Sequence, residues 1–247
     1  MIVSAKQYRH IYSLLHSKAD LNALSKRFRL PRETLESILH QKLVRRVRTH
    51  FHRLRTQAGR LEREWRAGRT FMQIAAENSF SPLMTASIIL QHKGMSKPAF
   101  SRLAKNPALA KDERIRREVG QAIESDAAFS QKTIAEQTRR AKECEQFVAE
   151  WLTRQGASFK HESQQAKTGK TPDYLLEKPL LLHGHEIKWV ECKASFGDRE
   201  ETKRNLSRQL SHYLQLFGPG MVVYWYGVEE HPFTHKGVLV VTRDYLE

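Results

Sequence analysis

Three charged residues stand in an apolar setting in "TPDYLLEKPLLLHGHEIKWVECKASFGD", residues 171–198. Asp173 follows a proline at the head of one apolar run, and Glu191 and Lys193 interrupt a second, "IKWVECKAS". Two such runs joined at His183-Gly184 predict a β-hairpin. Side chains at i and i+2 of a strand project from one face, so Glu191 and Lys193 point together and Cys192 points away. Asp173 converges on them if the strands pair in the right register. Two converging carboxylates are hard oxygen ligands suited to Mg²⁺, with Mn²⁺ able to substitute. A neighbouring ammonium can orient water and offset phosphate charge, so the trio meets the needs of phosphodiester hydrolysis. The plain alternatives are a turn aspartate after proline and a surface ion pair on an edge strand.

Other elements must carry this hairpin. "RRAKECEQFVAEWLTRQG" reads as a helix with Phe147, Val148, Trp151 and Leu152 on its apolar face and Gly156 as its C-cap. "ASFKHES" reads as a short strand, and "KRNLSRQLSHYLQLF" as a helix stopped by "GPG". "MVVYWYGV" and "KGVLVVTR" read as buried strands. The order predicts an α/β core with a mixed sheet flanked by helices over residues 139–247.

Pro172-Asp173 and Glu191-Cys192-Lys193 resemble the motif of the PD-(D/E)xK nuclease superfamily. Glu145, on the helix before the strands, resembles the helix glutamate of archaeal Holliday-junction resolvases, with Glu143 a rival one step along. Gln209 and Tyr213 in "QLSHY" resemble the Gln-x-x-x-Tyr element of RecB-type nucleases. The long stretch 171–198 together with "FGPGMVVYWYG" is similar to the codanin-interacting nucleases, the family known for its TPD sequence. The resemblance implies a restriction-endonuclease-like fold and a metal-dependent DNA endonuclease selective for branched or flapped DNA. It implies metal held by Asp173, Glu191, the Cys192 backbone carbonyl and Glu145, water placed by Lys193, and Gln209 steadying the site. A codanin-like protein partner, and a nuclear location in a eukaryote, belong to the same implication. A scaffold with a weak or inactive nuclease fold, and an RNA-directed nuclease, stay open as alternatives.

The rest of the chain differs in charge. Of 42 Lys/Arg and 27 Asp/Glu, residues 1–142 hold 29 and 12, and residues 143–247 hold 13 and 15. A basic half points to a polyanion, most often nucleic acid. Within it, residues 20–42 and 70–92 match at an offset of 50: Leu21 with Phe71, Leu24 with Ile74, Leu30 with Phe80, Ser37-Ile38-Leu39 with Ser87-Ile88-Ile89. Each copy predicts a short helix, a break at Pro31 or Ser81-Pro82, and a second helix, the outline of a helix-turn-helix. An all-α domain with two such units is therefore expected over residues 1–138.

Between the copies, residues 42–69 carry ten Lys/Arg against Glu62 and Glu64. The guanidinium fork suits phosphate, so Arg45, Arg46, Arg48, Arg53 and Arg55 are candidate nucleic-acid contacts. Lys167 and Lys170, ahead of Thr171, are further candidates. Leu43, Val47, Leu54, Leu61 and Trp65 are expected to line one apolar helical face. Two cysteines exclude a disulfide framework, and His50 and His52 lack partners for a metal site. No apolar run is long enough to span a membrane, and "MIVSAKQYRH" lacks a signal-peptide apolar region. An intracellular protein is expected, binding DNA, in an oligomeric state the residues do not reveal.

Overall fold

The repeat in the basic half reappears as a repeat in the backbone. In a computed structural model, which describes residues 1–165 and 169–247, the chain opens with β1 (Ile2–Val3) and α1 (Ala5–Leu14), followed by α2 (Leu21–Phe28) and α3 (Arg32–Thr56). Next come α4 (Ala58–Arg66), α5 (Phe71–Glu77) and α6 (Pro82–His92). The α2–α3 and α5–α6 turns are alike. Arg29 and Ser79, 50 positions apart, both take left-handed backbone, with φ of 54° and 46°. Just after them, Leu30 N–H bonds Ser25 O and Phe80 N–H bonds Ala75 O. Such a bond closes the first helix over its left-handed residue and seats the following apolar side chain in the core. α3 and α4 are separated at Gln57, so the predicted apolar face is shared by two helices; Leu54, Leu61 and Trp65 are buried on it, Leu43 and Val47 half-buried.

α7 (Lys97–Lys105) and α8 (Glu113–Ser125) follow, then α9 (Gln131–Arg154). The helical stretch is interrupted between α8 and α9. Asp126 breaks it, its carboxylate accepting N–H groups of Ala128, Phe129 and Ser130 at the approach to α9. The helical core gathers Leu61, Trp65, Phe71, Ile74, Ile88 and Ile89. Each such side chain contributes roughly 1.5–3 kcal/mol on full burial.

The chain divides into two compact units, Tyr12–Glu136 and Met1–Ile11 with Gln137–Glu247. The expected boundary at 138 falls inside α9, without a linker, and the first eleven residues belong with the sheet unit rather than the helical one. The reason is strand pairing. β1 runs parallel to β6 (Val228–Glu229), and Tyr8 Oη donates to Asp198 Oδ2 at 2.5 Å. Two residues of β-structure have no local signature in the sequence.

The remaining elements are β2 (Phe159–His161), β3 (Tyr174–Leu182), β4 (His185–Lys193), α10 (Arg199–Asn205), α11 (Ser211–Phe217), β5 (Gly220–Tyr224) and β7 (Val238–Thr242). They form a mixed five-stranded sheet of order β2-β3-β4-β5-β7, antiparallel through β4 and parallel from β4 to β7. Val148, Trp151 and Leu152 of α9 cover one face with Tyr174, Val190 and Val223. Leu206, Leu210 and Tyr213 cover the other with Trp189, Val222 and Tyr224. Among the described residues no helix is long and apolar enough to cross a membrane.

The β3–β4 register is set in two steps. At the turn, Leu182 pairs with His185 across His183-Gly184, whose φ values of 47° and 82° are those of a tight hairpin loop. Carried unchanged along the strands, that pairing would set Asp173 opposite Ala194. It does not persist: Leu180 pairs with Ile187, but Leu175 pairs with Trp189. Extra β3 residues bulge between these points, where exposed Pro179, lacking an N–H, cannot serve the ladder. Beyond the bulge Tyr174 faces Val190, which brings Asp173 opposite Glu191.

Candidate active site

Asp173 sits one residue before β3, and its Oδ2 accepts the Cys192 N–H at 2.6 Å. The carboxylate is thereby pinned to the strand that carries Glu191 and Lys193. Those two side chains share the face covered by Leu206–Tyr213, while Cys192 turns toward α9, as alternation requires. Lys193 Nζ lies 2.5 Å from Glu191 Oε1 and 2.9 Å from Gln209 Oε1. Gln209 Nε2 donates back to Glu191 Oε1 at 2.9 Å and to Tyr213 Oη at 2.6 Å. Tyr213 Oη donates to Thr171 O at 2.5 Å, tying the loop before Asp173 to this helix. Asp173, Glu191, Lys193 and Gln209 are therefore brought together.

Gln209 reaches the strand because its helix is irregular. Leu206–Leu210 form one π-helical turn between α10 and α11. Such a turn holds an inserted residue and rotates the side chains that follow, a geometry frequent at functional sites.

Burial dominates the electrostatics. Glu191 is 3% exposed, and desolvation pushes its carboxyl up to about 7 against the opposing pull of Lys193. Asp173 is held up to about 6, again by burial first, with the Cys192 N–H and Lys193 pulling the other way. Among the described residues Glu191 Oε2 is buried without a hydrogen-bond partner. One ammonium, that of Lys193, thus serves two desolvated carboxyl groups, and one carboxylate oxygen is left without a donor. Among the described residues no three His, Cys, Asp or Glu side chains form a ready-made metal cage. Two hard carboxylates and an orphaned oxygen still fit a divalent cation that keeps most of its waters, as Mg²⁺ does.

Glu145 lies on α9, half-buried, with its carboxyl held above its usual range by burial and by the charges of Glu162 and Glu191, against the pull of His161. Its rival Glu143 is exposed and ion-paired with Arg139, which takes it away from this cluster. The Lys170 ammonium donates to Arg208 O, beside Gln209 in the chain. Lys167 lies outside the described residues.

Three residues escaped the sequence reading. Glu162 N–H donates to Asp173 O at 2.9 Å, and its charge acts on both Asp173 and Glu145. His161, next to it, bears on Glu145. Gln165 Nε2 donates to Pro172 O at 2.8 Å and braces the loop that presents Asp173. Only a weak signal existed, the polar cluster "KHESQQ" between two strands.

The basic helices look different in three dimensions. Arg48, Arg53 and Arg55 are exposed and Arg46 half-buried. Arg45 is 9% exposed, so it is not a surface contact: it falls on the stripe of α3 that buries Ile38 and Lys42, spaced at i, i+4 and i+7. α6, the second helix of the second repeat, buries Leu83 and every residue from Thr85 to Leu90. It has no continuous free face to lay in a DNA groove.

The family model described as "Protein of unknown function TPD sequence-motif" matches residues 111–244. CDAN1-interacting nuclease 1 of Xenopus tropicalis is 30% identical over 253 residues, spanning 93% of this chain and 84% of the relative. The Mus musculus protein of that name is 30% identical over 250 residues, 92% of this chain and 89% of the relative. The Xenopus laevis protein is 34% identical over 168 residues, 64% of this chain and 55% of the relative. No solved structure matches the chain significantly. By the family model, which matches more than half of the chain, the chain belongs to the TPD sequence-motif family.

Proposed function

We propose that this chain is a divalent-cation-dependent deoxyribonuclease of the PD-(D/E)xK type, with a restriction-endonuclease-like sheet unit, cutting internally in branched or flapped DNA. The observation that carries this reading is the Glu191 carboxylate, 3% exposed, with one oxygen on Lys193 and Gln209 and the other orphaned, opposite Asp173. The relatives named as nucleases support the same class of activity.

Asp173, Glu191 and the Cys192 carbonyl would hold Mg²⁺ or Mn²⁺, with Glu145 holding one of its waters. When bound, the cation supplies Lewis acidity toward the scissile phosphate and neutralises the two carboxylates. The chain's own groups do the positioning. Lys193 has three N–H donors; Glu191 and Gln209 take two, and the third is left for the attacking water or a phosphate oxygen. Gln209 keeps the ammonium from collapsing wholly onto Glu191. Tyr213 holds Thr171, and so Asp173, at a constant distance from Lys193. Exposed Arg48, Arg53 and Arg55, with Arg46, would contact phosphates without reading bases. As the relatives' printed name suggests, a codanin-like protein is the proposed partner, and the nucleus the proposed location in a eukaryotic cell.

The test is cleavage of labelled junction, flap, splayed and linear DNA, and of RNA of equal length, with Mg²⁺ or Mn²⁺. Cutting of branched or flapped DNA that disappears in Asp173→Ala and in Lys193→Ala is expected. Undiminished cutting by both variants would overturn the site, and a preference for RNA would overturn the substrate.

A further inference from the structure

The helical unit encloses a cavity of about 270 Å³ whose walls are unlike each other. Lys18, Lys42 and Arg46 bring positive charge to it, and Leu43, Met72, Phe80 and Pro82 bring apolar surface. Among the described residues no carboxylate lines it. Lys42 is 8% exposed, yet among the described residues its ammonium meets no carboxylate: it donates to the main-chain oxygens of Tyr12 at 2.5 Å and Leu15 at 2.7 Å and lies 4.7 Å from the centre of the Tyr12 ring. Lys18 Nζ likewise bonds Asp126 O at 2.5 Å and Glu124 O at 3.3 Å. Carbonyl groups satisfy the hydrogen bonds of an ammonium but not its charge. Buried lysines are ordinarily paired with an anion.

The carboxylates whose charge reaches these lysines are Asp126, Glu36 and Asp20, and each is engaged elsewhere. Asp126 accepts three N–H groups and the Ser81 hydroxyl. Asp20 accepts the His16 and Ser17 N–H groups, and Glu36 pairs with Arg32 at 2.9 Å. Burial lowers the pKa of both lysines, as expected of cations short of counter-charge.

We infer that this cavity is a binding site for a nucleotide: its phosphomonoester is held by Lys18, Lys42 and the guanidinium fork of Arg46, and its base or sugar lies on Leu43, Met72 and Phe80. A phosphomonoester brings the missing negative charge and several acceptor oxygens. The volume, about 270 Å³, lies just below the roughly 300–1,000 Å³ of small-molecule pockets, which suits one nucleotide and not a duplex. The nucleotide has two sources, a free mononucleotide or the 5′-phosphorylated end of a DNA strand. The inference is independent of the chemistry assigned to Asp173 and Glu191.

The test uses the full chain and deoxyadenosine 5′-monophosphate, with deoxyadenosine and inorganic phosphate as comparators. Lysines are acetylated with an N-hydroxysuccinimide ester and read by mass spectrometry. The monophosphate is expected to protect half-buried Lys18 but not exposed Lys97, and deoxyadenosine to protect neither. In titration calorimetry Arg46→Ala and Lys18→Gln weaken binding of the monophosphate about tenfold or more, and Lys105→Ala, at an exposed position of α7, leaves it unchanged. A preference for 5′-phosphorylated over 5′-hydroxyl oligonucleotides assigns the site to strand ends, and its absence, with the monophosphate bound, assigns it to free nucleotide. The inference is overturned by absence of lysine protection, by binding indifferent to both substitutions, or by inorganic phosphate binding as tightly as the monophosphate.

Discussion

Replacing Lys193 by methionine tests the electrostatics of the sheet site without any substrate. The side chains of Lys193 and Glu191 are 19% and 4% exposed, and their charged atoms meet at 2.5 Å. Breaking a buried ion pair ordinarily costs about 3–5 kcal/mol, because a charge is stranded. Here the stranded partner can take up a proton. Burial already holds the Glu191 carboxyl up to about 7, so at pH 6 it is mostly neutral even beside Lys193. The variant should then lose only about 1 kcal/mol, the worth of a hydrogen bond. Above pH 7 the wild-type carboxyl ionises and gains its pair, while the variant must keep its proton. The penalty grows by about 1.4 kcal/mol per pH unit, reaching on the order of 3 kcal/mol at pH 8.5.

The wild type has its own pH dependence. A carboxyl raised in the folded state binds a proton that the unfolded chain has released. That contribution is full below the ordinary carboxylate range near 4.5 and is lost as pH rises through about 7. The metal-free protein should therefore be less stable at pH 8 than at pH 6. Urea unfolding of both proteins at pH 6 and 8.5, in a chelator, measures each quantity. A loss of about 3–5 kcal/mol at pH 6 that does not change with pH would show Glu191 ionised throughout and refute the reasoning.

Three further outcomes are expected. Gly220→Ala places a Cβ 2.2 Å from the Trp189 ring; a loss of about 3 kcal/mol in urea unfolding and an altered Trp189 near-ultraviolet signal follow. Glu145→Ala lowers Mn²⁺-dependent cleavage about tenfold or more, a loss near 1.4 kcal/mol in transition-state stabilisation, whereas Glu143→Ala stays near wild type; equal effects in a cleavage assay would remove Glu145 from the site. Arg48→Ala and Arg53→Ala each flatten the salt dependence of DNA affinity by about one phosphate contact, while Arg45→Ala lowers the melting temperature and leaves the slope alone.

The features legible in the sequence are those written at short range. Alternation placed Glu191 and Lys193 on one face, His183-Gly184 marked the turn, and the 50-residue offset marked a repeat that extends even to paired left-handed residues at Arg29 and Ser79. Charge counting separated a basic half from a neutral one. The reading failed where the answer depends on packing. Arg45 and Arg48 are equivalent as letters, but only one falls on the buried stripe of α3. The helix-turn-helix outline leaves open which face of its second helix is free, and in α6 nearly the whole helix is wrapped by its own unit. β1 is two residues long and exists only because β6 offers it an edge.

By itself, then, the sequence determined the chemical inventory: two carboxylates, an ammonium and an amide at spacings that strands and helices can exploit. Only the tertiary structure decided whether they meet. The turn's own pairing would leave Asp173 opposite Ala194; the bulge around Pro179 shifts the strand and sets it opposite Glu191. One π-helical turn swings Gln209 onto Lys193. Burial then raises the carboxyl groups of Asp173 and Glu191. Register, helical phase and desolvation are sums over contacts between residues far apart in the chain, which local residue patterns do not encode.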